Sequence, residues 1–379
     1  MSVLIYLDNA ATTKPCDAAK AGVMKGLEVF GNPSSLHRCG LDAELLVTDA
    51  RTAVADSLGC LNEEIFFTSG ATESSNTAIF GAFKSQGKRK HRVVTTTVEH
   101  PATARPFDEL ERLGCEVVRV SPDENGIISA EAITDAVNED TFLVSMMLVN
   151  NETGAILPVS KAFNAIHRRF PKVITHCDCV QGYMKLPIKA KTLGADLISL
   201  SAHKICGPKG IGALYVRKGL HIPALLMGGG QEKNMRSGTE SVPLICGFGE
   251  AVKQYSGNIS ERLEKARRLE ALLFELCEKN GGISVNYREE KSPYVNSISV
   301  EGLKSEVLLH YLEKREIFVS SGSACSKGKK SGALAEFRIP VRNMDTTLRI
   351  SFSPDTTEDD LYGLMEGIAA AQQELAKLK

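Results

Sequence analysis

Short segments rich in β-branched and apolar residues alternate with segments of helical spacing along much of the 379-residue chain. The strand-like segments cover residues 64–68, 92–96, 116–120, 141–149, 173–179, 197–200 and 213–216. Helical stretches separate several of them, at residues 69–84, 102–113, 129–137 and 159–170. Because strands that alternate with helices pair in parallel and are covered on both faces, the pattern predicts an α/β fold. We expect a large domain with a mostly parallel seven-stranded sheet flanked by helices.

The pattern changes near residue 255, where one long, charge-rich amphipathic helix is predicted at residues 259–280. The segments that follow it are strand-like at residues 283–287, 297–300 and 317–319, and helical at residues 306–314 and 358–378. This mixture predicts a smaller α+β domain. We place the large domain at residues 16–254 and the small domain at residues 1–15 and 255–379.

Composition and charge narrow the functional classes. Apolar residues make up 43% and charged residues 24%, which is typical of a folded chain with a substantial core. The net charge of −1 gives no general attraction to nucleic acid or to an anionic membrane, and we interpret the basic cluster at residues 84–92 as a solvated loop. No secretory signal and no apolar run of about 18 residues is visible. We therefore expect no membrane and no direct nucleic-acid partner.

Ten cysteines are scattered along the chain, and none forms a C-x-x-C pair. A chain of this length does not need disulfides for stability, so we predict a reducing, cytoplasmic location. The run His176-Cys177-Asp178-Cys179 has the alternation of a strand, and no second cysteine and histidine cluster completes a zinc site. We therefore predict no metal.

Lys204 ends the run Ser201-Ala202-His203-Lys204, directly after a predicted strand and just before the run Cys206-Gly-Pro-Lys-Gly210. A lysine amine at a strand end, among small residues, can condense with an aldehyde to form a Schiff base. Pyridoxal phosphate is the aldehyde cofactor that enzymes hold in this way. If Lys204 carries it, a phosphate site and a carboxylate for the ring nitrogen must lie elsewhere in the chain.

Residues at other predicted strand ends offer both groups. Ser69-Gly70-Ala71-Thr72 joins a strand to a helix, where backbone N–H groups and the helix dipole attract phosphate, although an ordinary helix cap has the same pattern. Asp178 would pair with a protonated ring nitrogen, unless it only caps the next turn. Gln181 and the turn Asn150-Asn151 would reach the ring oxygen. His100 would stack on the ring and shuttle protons, unless it is purely structural.

All these residues lie at the carboxyl ends of predicted strands, which is where open α/β sheets bind ligands. Their shared location favours one cofactor site over a set of unrelated turns and caps.

Motifs that carry these residues are spread over nearly the whole chain. They are Tyr-Leu-Asp-Asn-Ala-Ala-Thr-Thr (6–13), Gly-Asn-Pro-Ser-Ser-Leu-His (31–37), Thr-Ser-Gly-Ala-Thr-Glu-Ser (68–74), Glu-His-Pro-Ala (99–102), Val-Asn-Asn-Glu-Thr-Gly (149–154), Ser-Ala-His-Lys (201–204), Arg-Ser-Gly-Thr (236–239) and Ser-Ser-Gly-Ser-Ala-Cys (320–325). Together they resemble the cysteine desulfurases of the class V aminotransferase family, within fold type I of the pyridoxal enzymes.

The resemblance implies a role for each matching residue. The implied cofactor-binding residues are Ala71, Thr72, Asn151, Asp178, Gln181, Ser201, His203, Lys204 and Thr239, the last contributed by the partner subunit of a homodimer. The implied catalytic residues are Cys325, Lys204 and His100. Arg349 would bind the substrate carboxylate, which its planar guanidinium matches bidentately, with Asn151 beside it.

Cys325 stands among small residues and is followed by Lys327, Lys329 and Lys330. A free thiol is only about 3% thiolate at pH 7, and neighbouring lysines raise that fraction. Beside a pyridoxal site, Cys325 becomes a candidate nucleophile rather than an incidental loop cysteine. The predicted reaction converts L-cysteine to L-alanine and leaves a persulfide on Cys325 for a sulfur-acceptor protein, such as an iron–sulfur scaffold.

The chain departs from the common family pattern at three places. Ser74-Ser75-Asn76 stands where two asparagines are usual, and Thr239-Glu240-Ser241 replaces a more apolar continuation. The segment after Cys325 is basic, which leaves the identity of the sulfur acceptor open. Two alternatives to a desulfurase remain: another pyridoxal enzyme, such as an aminotransferase or a selenocysteine lyase, and a non-catalytic scaffold with the same fold.

Overall fold

The computed structural model describes residues 4–322 and 332–375. The strands are β1 (Ile5–Tyr6), β2 (Ile65–Thr68), β3 (Arg92–Thr96), β4 (Glu116–Val120), β5 (Thr141–Met147), β6 (Ile174–Asp178), β7 (Leu197–Ser201), β8 (Gly212–Val216), β9 (Ile283–Val285), β10 (Val295–Val300), β11 (Ile317–Phe318), β12 (Ser320–Ser321) and β13 (Thr347–Ser351). The helices are α1 (Asp17–Glu28), α2 (Arg38–Leu58), α3 (Ala71–Gln86), α4 (Pro101–Arg112), α5 (Ala130–Asp135), α6 (Val159–Arg169), α7 (Ala190–Leu193), α8 (Val242–Ser256), α9 (Ile259–Lys279), α10 (Ser305–Glu313), α11 (Gly332–Glu336), α12 (Val341–Met344) and α13 (Glu358–Glu374).

The predicted α/β fold with a mostly parallel seven-stranded sheet is confirmed. The strand order is β2-β8-β7-β6-β5-β3-β4 within the described residues. Within this sheet β8 runs opposite to the other six strands. Residues 202–211 connect β7 to β8, and this connection is too short for the helical crossover that a parallel pair requires. The same short connection carries Lys204, which lies in a 3₁₀ turn at Ala202–Lys204.

Every residue of the interior strand β5 is buried, and its apolar side chains are divided between two apolar clusters. Leu143 packs in a cluster with Ile79 of α3 and Phe107 of α4. Val144 packs in the opposite cluster, which includes Phe163 of α6 and residues of α2 and α8. Burial of an aliphatic side chain of this size contributes roughly 2 kcal/mol, so both faces of the sheet hold the fold together.

A second sheet, in the order β12-β13-β10-β9, is antiparallel and packs with α9, α10 and α13 around its own apolar cluster. Strand β1 pairs in parallel with β11, so the start of the chain lies beside its last third. The turn after β5 approaches β10 closely at Gly154, where φ is +82° and an added Cβ would lie 2.4 Å from the Val295 carbonyl oxygen. Only glycine fits this junction.

The sequence pattern missed helices α1 and α8. Their contact depends on small residues rather than on an apolar stripe, because a Cβ on Gly26 would lie 2.5 Å from the Cα of Pro243. The predicted strand at residues 141–149 was wrong at its end, since β5 stops at Met147 and Asn150 begins a side-chain-bonded turn. Within the described ranges, no helix has both the length and the apolar character to cross a bilayer.

Candidate functional site

A cavity of about 760 Å³ opens where the carboxyl ends of β5, β6 and β7 meet the start of α3. The predicted site residues that line it are Ala71, Thr72, His100, Asn151, Asp178, Gln181, Ser201, His203, Lys204 and Arg349. Residues from both sheets therefore converge on one space, although they are distributed over most of the chain.

Two predicted site residues are placed differently. Thr239 is exposed and does not belong to the lining of this cavity, which is compatible with a role in a partner subunit. Cys325 lies outside the described residues. The residues that precede its segment, Ser320, Ser321 and Gly322, line the cavity, and Ser320 pairs with Arg349 in the small sheet.

The amine of Lys204 lies against the backbone of the segment that follows β1. Its Nζ donates to the carbonyl oxygens of Ala10 and Ala11, each at 2.6 Å. That segment is fixed from the small sheet, since the Ala10 N–H donates to Oγ of Ser351 at 2.8 Å. It is also fixed near the lysine, because Thr13 Oγ1 donates to the His203 carbonyl at 2.9 Å. These contacts hold the amine of Lys204 against the segment after β1.

Asp178 ends β6 and is 5% exposed. Its Oδ1 accepts a 3.0 Å hydrogen bond from the Val180 N–H. Burial raises the pKa of Asp178, and the hydrogen bond together with His100 and Lys204 opposes that shift. A buried carboxylate in this position favours a cationic hydrogen-bond donor in the cavity.

His100 is the N-cap of α4, and its Nδ1 accepts the Ala102 N–H at 3.1 Å. This bond places the proton of the neutral ring on Nε2. Burial lowers the pKa of His100, with Asp178 opposing the shift and Lys204 adding to it. At neutral pH the side chain is therefore a neutral imidazole that donates from Nε2.

The start of α3 provides an anion site. Gly70 caps the helix without a side chain, so the first-turn N–H groups face the cavity and are joined by the helix dipole. Glu73 in the first turn would repel an anion, but Arg236 pairs with it at 2.9 Å. Burial raises the pKa of Glu73, yet the hydrogen bonds from Arg236 and Ser69 hold it below its usual value. The carboxylate is ionised and neutralised by its partner.

His203 also lines this part of the cavity, and its Nδ1 is 3.2 Å from Oγ1 of Thr12. Burial and the nearby Lys204, Lys209 and Lys185 lower the pKa of His203 to about 4. It therefore meets an anion as a neutral hydrogen-bonding group.

Arg349 lies in β13 and is 8% exposed. Its Nη2 donates to Oδ1 of Asp8 at 2.9 Å, and its Nη1 donates to the Asn151 carbonyl at 3.2 Å. Its Nε is buried and finds no acceptor among the described residues. A carboxylate in the cavity would supply that missing acceptor.

Sequence reasoning gave no role to several groups around the cavity. The carbonyls of Ala10 and Ala11 have no side-chain signal, and Asp8 was quoted only as part of a motif. Glu99 is buried next to His100, and its Oε1 accepts from Thr96 Oγ1 at 2.7 Å and from the Met147 N–H at 2.9 Å. Burial raises the pKa of Glu99 to about 8, against the pull of these two bonds.

Comparison with known proteins places the chain in a family. The family described as Aminotransferase class-V matches residues 5–364. The chain belongs to the class-V aminotransferase family, and the family resemblance predicted from the sequence is confirmed.

Individual relatives narrow the position within that family. A NifS/IcsS protein homolog of Lactobacillus delbrueckii subsp. bulgaricus is 34% identical over 99% of both chains. The cysteine desulfurase IscS of Dictyoglomus turgidum is 37% identical over 94% of this chain and 91% of its own length. Among solved structures, a NifS-like protein superposes with a TM-score of 0.93 at 33% identity, covering 98% of this chain and 100% of its own.

Proposed function

We propose that the chain is a pyridoxal-phosphate-dependent L-cysteine desulfurase, which converts L-cysteine to L-alanine and leaves a persulfide on Cys325. The observation that carries the proposal is the convergence of Lys204, Asp178, Arg349 and the start of α3 on one cavity. Relatives named cysteine desulfurase, at 37% identity over most of the chain, support the same conclusion.

The residues around the cavity fit the cofactor. The start of α3 with Ser201 and His203 would hold the phosphate, and Asp178 would bind the ring nitrogen. Gln181 and Asn151 would reach the ring oxygen, while His100 would stack on the ring. Lys204 would carry the cofactor on its amine. When bound, pyridoxal phosphate supplies an electron sink for the bonds at the substrate α-carbon.

The chain's own groups bind and orient the substrate. Arg349 would bind the carboxylate of L-cysteine through Nε, whose buried N–H lacks an acceptor in the described part of the chain. Lys204, released from its covalent role, would hold and move the proton of the α-carbon. His100 would donate a hydrogen bond from Nε2, because its N-cap bond to Ala102 occupies Nδ1 as an acceptor.

Cys325 would take the sulfur. Its thiolate attacks the substrate sulfur, a sulfur–sulfur bond forms, and the bond between sulfur and the β-carbon breaks. The β-carbon keeps that electron pair and is protonated, so that alanine leaves. Cys325 follows Gly322 by three residues, and Gly322 lines the cavity. Three residues span at most about 11 Å, so the length of the chain permits the thiol to reach the cavity.

We propose further that the chain works as a homodimer. Several large apolar side chains between residues 24 and 45 are exposed in the single chain, among them Phe30 at 86% and Leu36 at 94%. An exposed apolar surface of this kind marks a contact with another protein. A second copy would cover it and would bring its Thr239 to the phosphate end of the cavity.

We also propose two domains, a sulfur-acceptor partner and a cytoplasmic location. The division into residues 16–254 and residues 1–15 with 255–379 is supported by the separate sheets and by the β1–β11 pairing. The sulfur acceptor would be a protein such as an iron–sulfur scaffold. A cytoplasmic location agrees with the free cysteines among the described residues.

The deciding experiment mixes the cofactor-loaded protein with L-cysteine and a reductant and measures alanine and sulfide. We expect equal amounts of both products. Cys325→Ala should abolish sulfide release but keep the cofactor absorbance, whereas Lys204→Ala should lose the covalent attachment of the cofactor. Cys60→Ala is the matched control, because Cys60 is a partly exposed free cysteine outside the lining of this cavity.

Three results would point elsewhere. Turnover of L-cysteine that survives Cys325→Ala would indicate another pyridoxal reaction. Failure to bind the cofactor at all would indicate a scaffold. Equal activity of the Cys60 and Cys325 variants would contradict the persulfide step.

A further inference from the structure

Lys185 is a buried lysine close to the cavity that the proposed reaction does not use. It lies in the turns after β6 and is 7% exposed. Its Nζ donates to Oε1 of Gln181 at 2.9 Å. Few lysines are buried to this degree, and those that are have a specific partner. The partner here is a side chain that lines the cavity.

The backbone next to Lys185 is strained. Met184, the residue before it, has φ of +57°, a left-handed conformation that is uncommon for a residue other than glycine. Arg262 of α9 holds this residue by donating from Nη2 to the Met184 carbonyl at 2.8 Å. Strain that the surrounding structure maintains is concentrated at functional sites.

The contact with Lys185 fixes the amide of Gln181. A lysine ammonium has donors only, so the amide must present its oxygen to Lys185. The amide nitrogen of Gln181 then donates one hydrogen to the Ala10 carbonyl at 2.9 Å. Its second hydrogen remains for the cavity that Gln181 lines. An amide that accepts a charged hydrogen bond on its oxygen is also a stronger donor on its nitrogen.

We propose that Lys185 is a positioning residue, which anchors and polarises Gln181 so that an N–H of Gln181 faces the ring oxygen of the bound cofactor. This inference rests on the proposed function, since it concerns the same cofactor. Lys185 acts through Gln181 and does not touch the cofactor itself.

The environment of Lys185 is compatible with this role. Burial lowers the pKa of Lys185 to about 7, with Lys204 adding to the shift. Both the charged and the neutral amine retain an N–H to donate to Gln181 Oε1. The hydrogen bond from Lys185 to Gln181 therefore persists both above and below neutral pH.

The test is a double-mutant cycle with Lys185→Met and Gln181→Ala, read out by pyridoxal phosphate binding to the apoprotein and by the pH midpoint of the bound cofactor's absorbance. Lys185→Met should weaken binding about tenfold, as expected for loss of a charged hydrogen bond. It should also move the absorbance midpoint to higher pH, because a donor on the ring oxygen disfavours the protonated form. Lys185→Gln, which keeps an N–H donor, should restore both values toward those of the parent.

The cycle separates positioning from other roles. If Lys185 acts through Gln181, Lys185→Met has no further effect on a Gln181→Ala background. An equal effect on both backgrounds, or parental values for Lys185→Met, would overturn the inference. The parent protein binds the cofactor in either of those cases, whereas a parent that binds none would overturn the proposed function instead.

Discussion

Asp8 and Arg349 form an ion pair in which Nη2 of the arginine donates to Oδ1 of the aspartate at 2.9 Å. The two residues are 341 positions apart in the sequence. The pair joins the segment after β1 to the small sheet at the wall of the cavity. Together with the Asn151 carbonyl it holds both Nη atoms of the guanidinium, while the buried Nε has no acceptor among the described residues.

Replacing Asp8 by Asn should weaken substrate binding. The amide keeps the shape but removes the charge that orients Arg349, so we expect KM for L-cysteine to rise about tenfold, with a smaller change in kcat. Steady-state kinetics of sulfide release measure KM and kcat separately. An unchanged or lower KM would mean that Asp8 competes with the substrate for the arginine.

Arg236 should matter for phosphate binding through Glu73. Arg236→Met would leave the Glu73 carboxylate unneutralised at the start of α3, and we expect pyridoxal phosphate to bind about tenfold more weakly, or about 1.4 kcal/mol. The double variant Glu73→Gln with Arg236→Met removes the charge and should recover most of the affinity. Equilibrium dialysis measures the affinity of the parent, single-variant and double-variant apoproteins for pyridoxal phosphate. A double variant as weak as the single one would show that Arg236 acts on the loop and not on the charge.

Glu99 should make the stability of the apoprotein depend on pH. Its folded pKa of about 8 lies above the ordinary value of 4.5, so the folded state retains a proton that the unfolded state has lost between these values. Stability from this group is therefore complete below pH 4.5 and falls by up to about 1.4 kcal/mol per pH unit as the pH rises toward 8.

Glu99→Gln is the matched variant, because the amide keeps the two bonds to Oε1 and cannot ionise. Urea unfolding between pH 5 and pH 8 should show that the free energy of unfolding of the variant rises relative to that of the parent as the pH rises. Parallel curves would mean that Glu99 is ionised in the folded state.

The exposed apolar segment at residues 24–45 should be the dimer contact. Phe30→Glu and Leu36→Glu each place a charge on a side chain that is more than 80% exposed in the single chain, so neither should unfold it. We expect both to shift the mass measured by light scattering from dimer toward monomer. Leu113→Glu, at another exposed apolar position, is the control. A parent protein that is already monomeric would remove the homodimer from the proposal.

Much of the large sheet and the start of α3 could be predicted from the sequence because both are local. Strand β3 was predicted with its final bounds, and the Gly70 turn has its own sequence signal. Lys204 and Asp178 could be placed at strand ends, because each lies at the end of a buried strand. A functional residue at a strand end can be predicted from the sequence, because the apolar run of the strand gives way there to polar residues.

The rest depends on contacts between distant segments. The carbonyls of Ala10 and Ala11 face Lys204 across more than 190 positions, and backbone groups leave no side-chain pattern. The sequence led to no prediction for Lys185, because burial of a lysine is decided by what packs over it. Helices α1 and α8 were missed for a related reason, as glycines make their contact.

The pairing of β1 with β11 determines the order in which parts of the structure can form during translation. The strands that carry Asp178 and Lys204 leave the ribosome long before residues 317–351, so the large sheet can form while translation continues. The segment with Ala10 and Ala11 can take its final position only later, because it is held by contacts with Ser351 and β11. The lysine site is therefore completed only near the end of translation, and a nascent chain interrupted before β11 would have its sheet but no finished place for the cofactor.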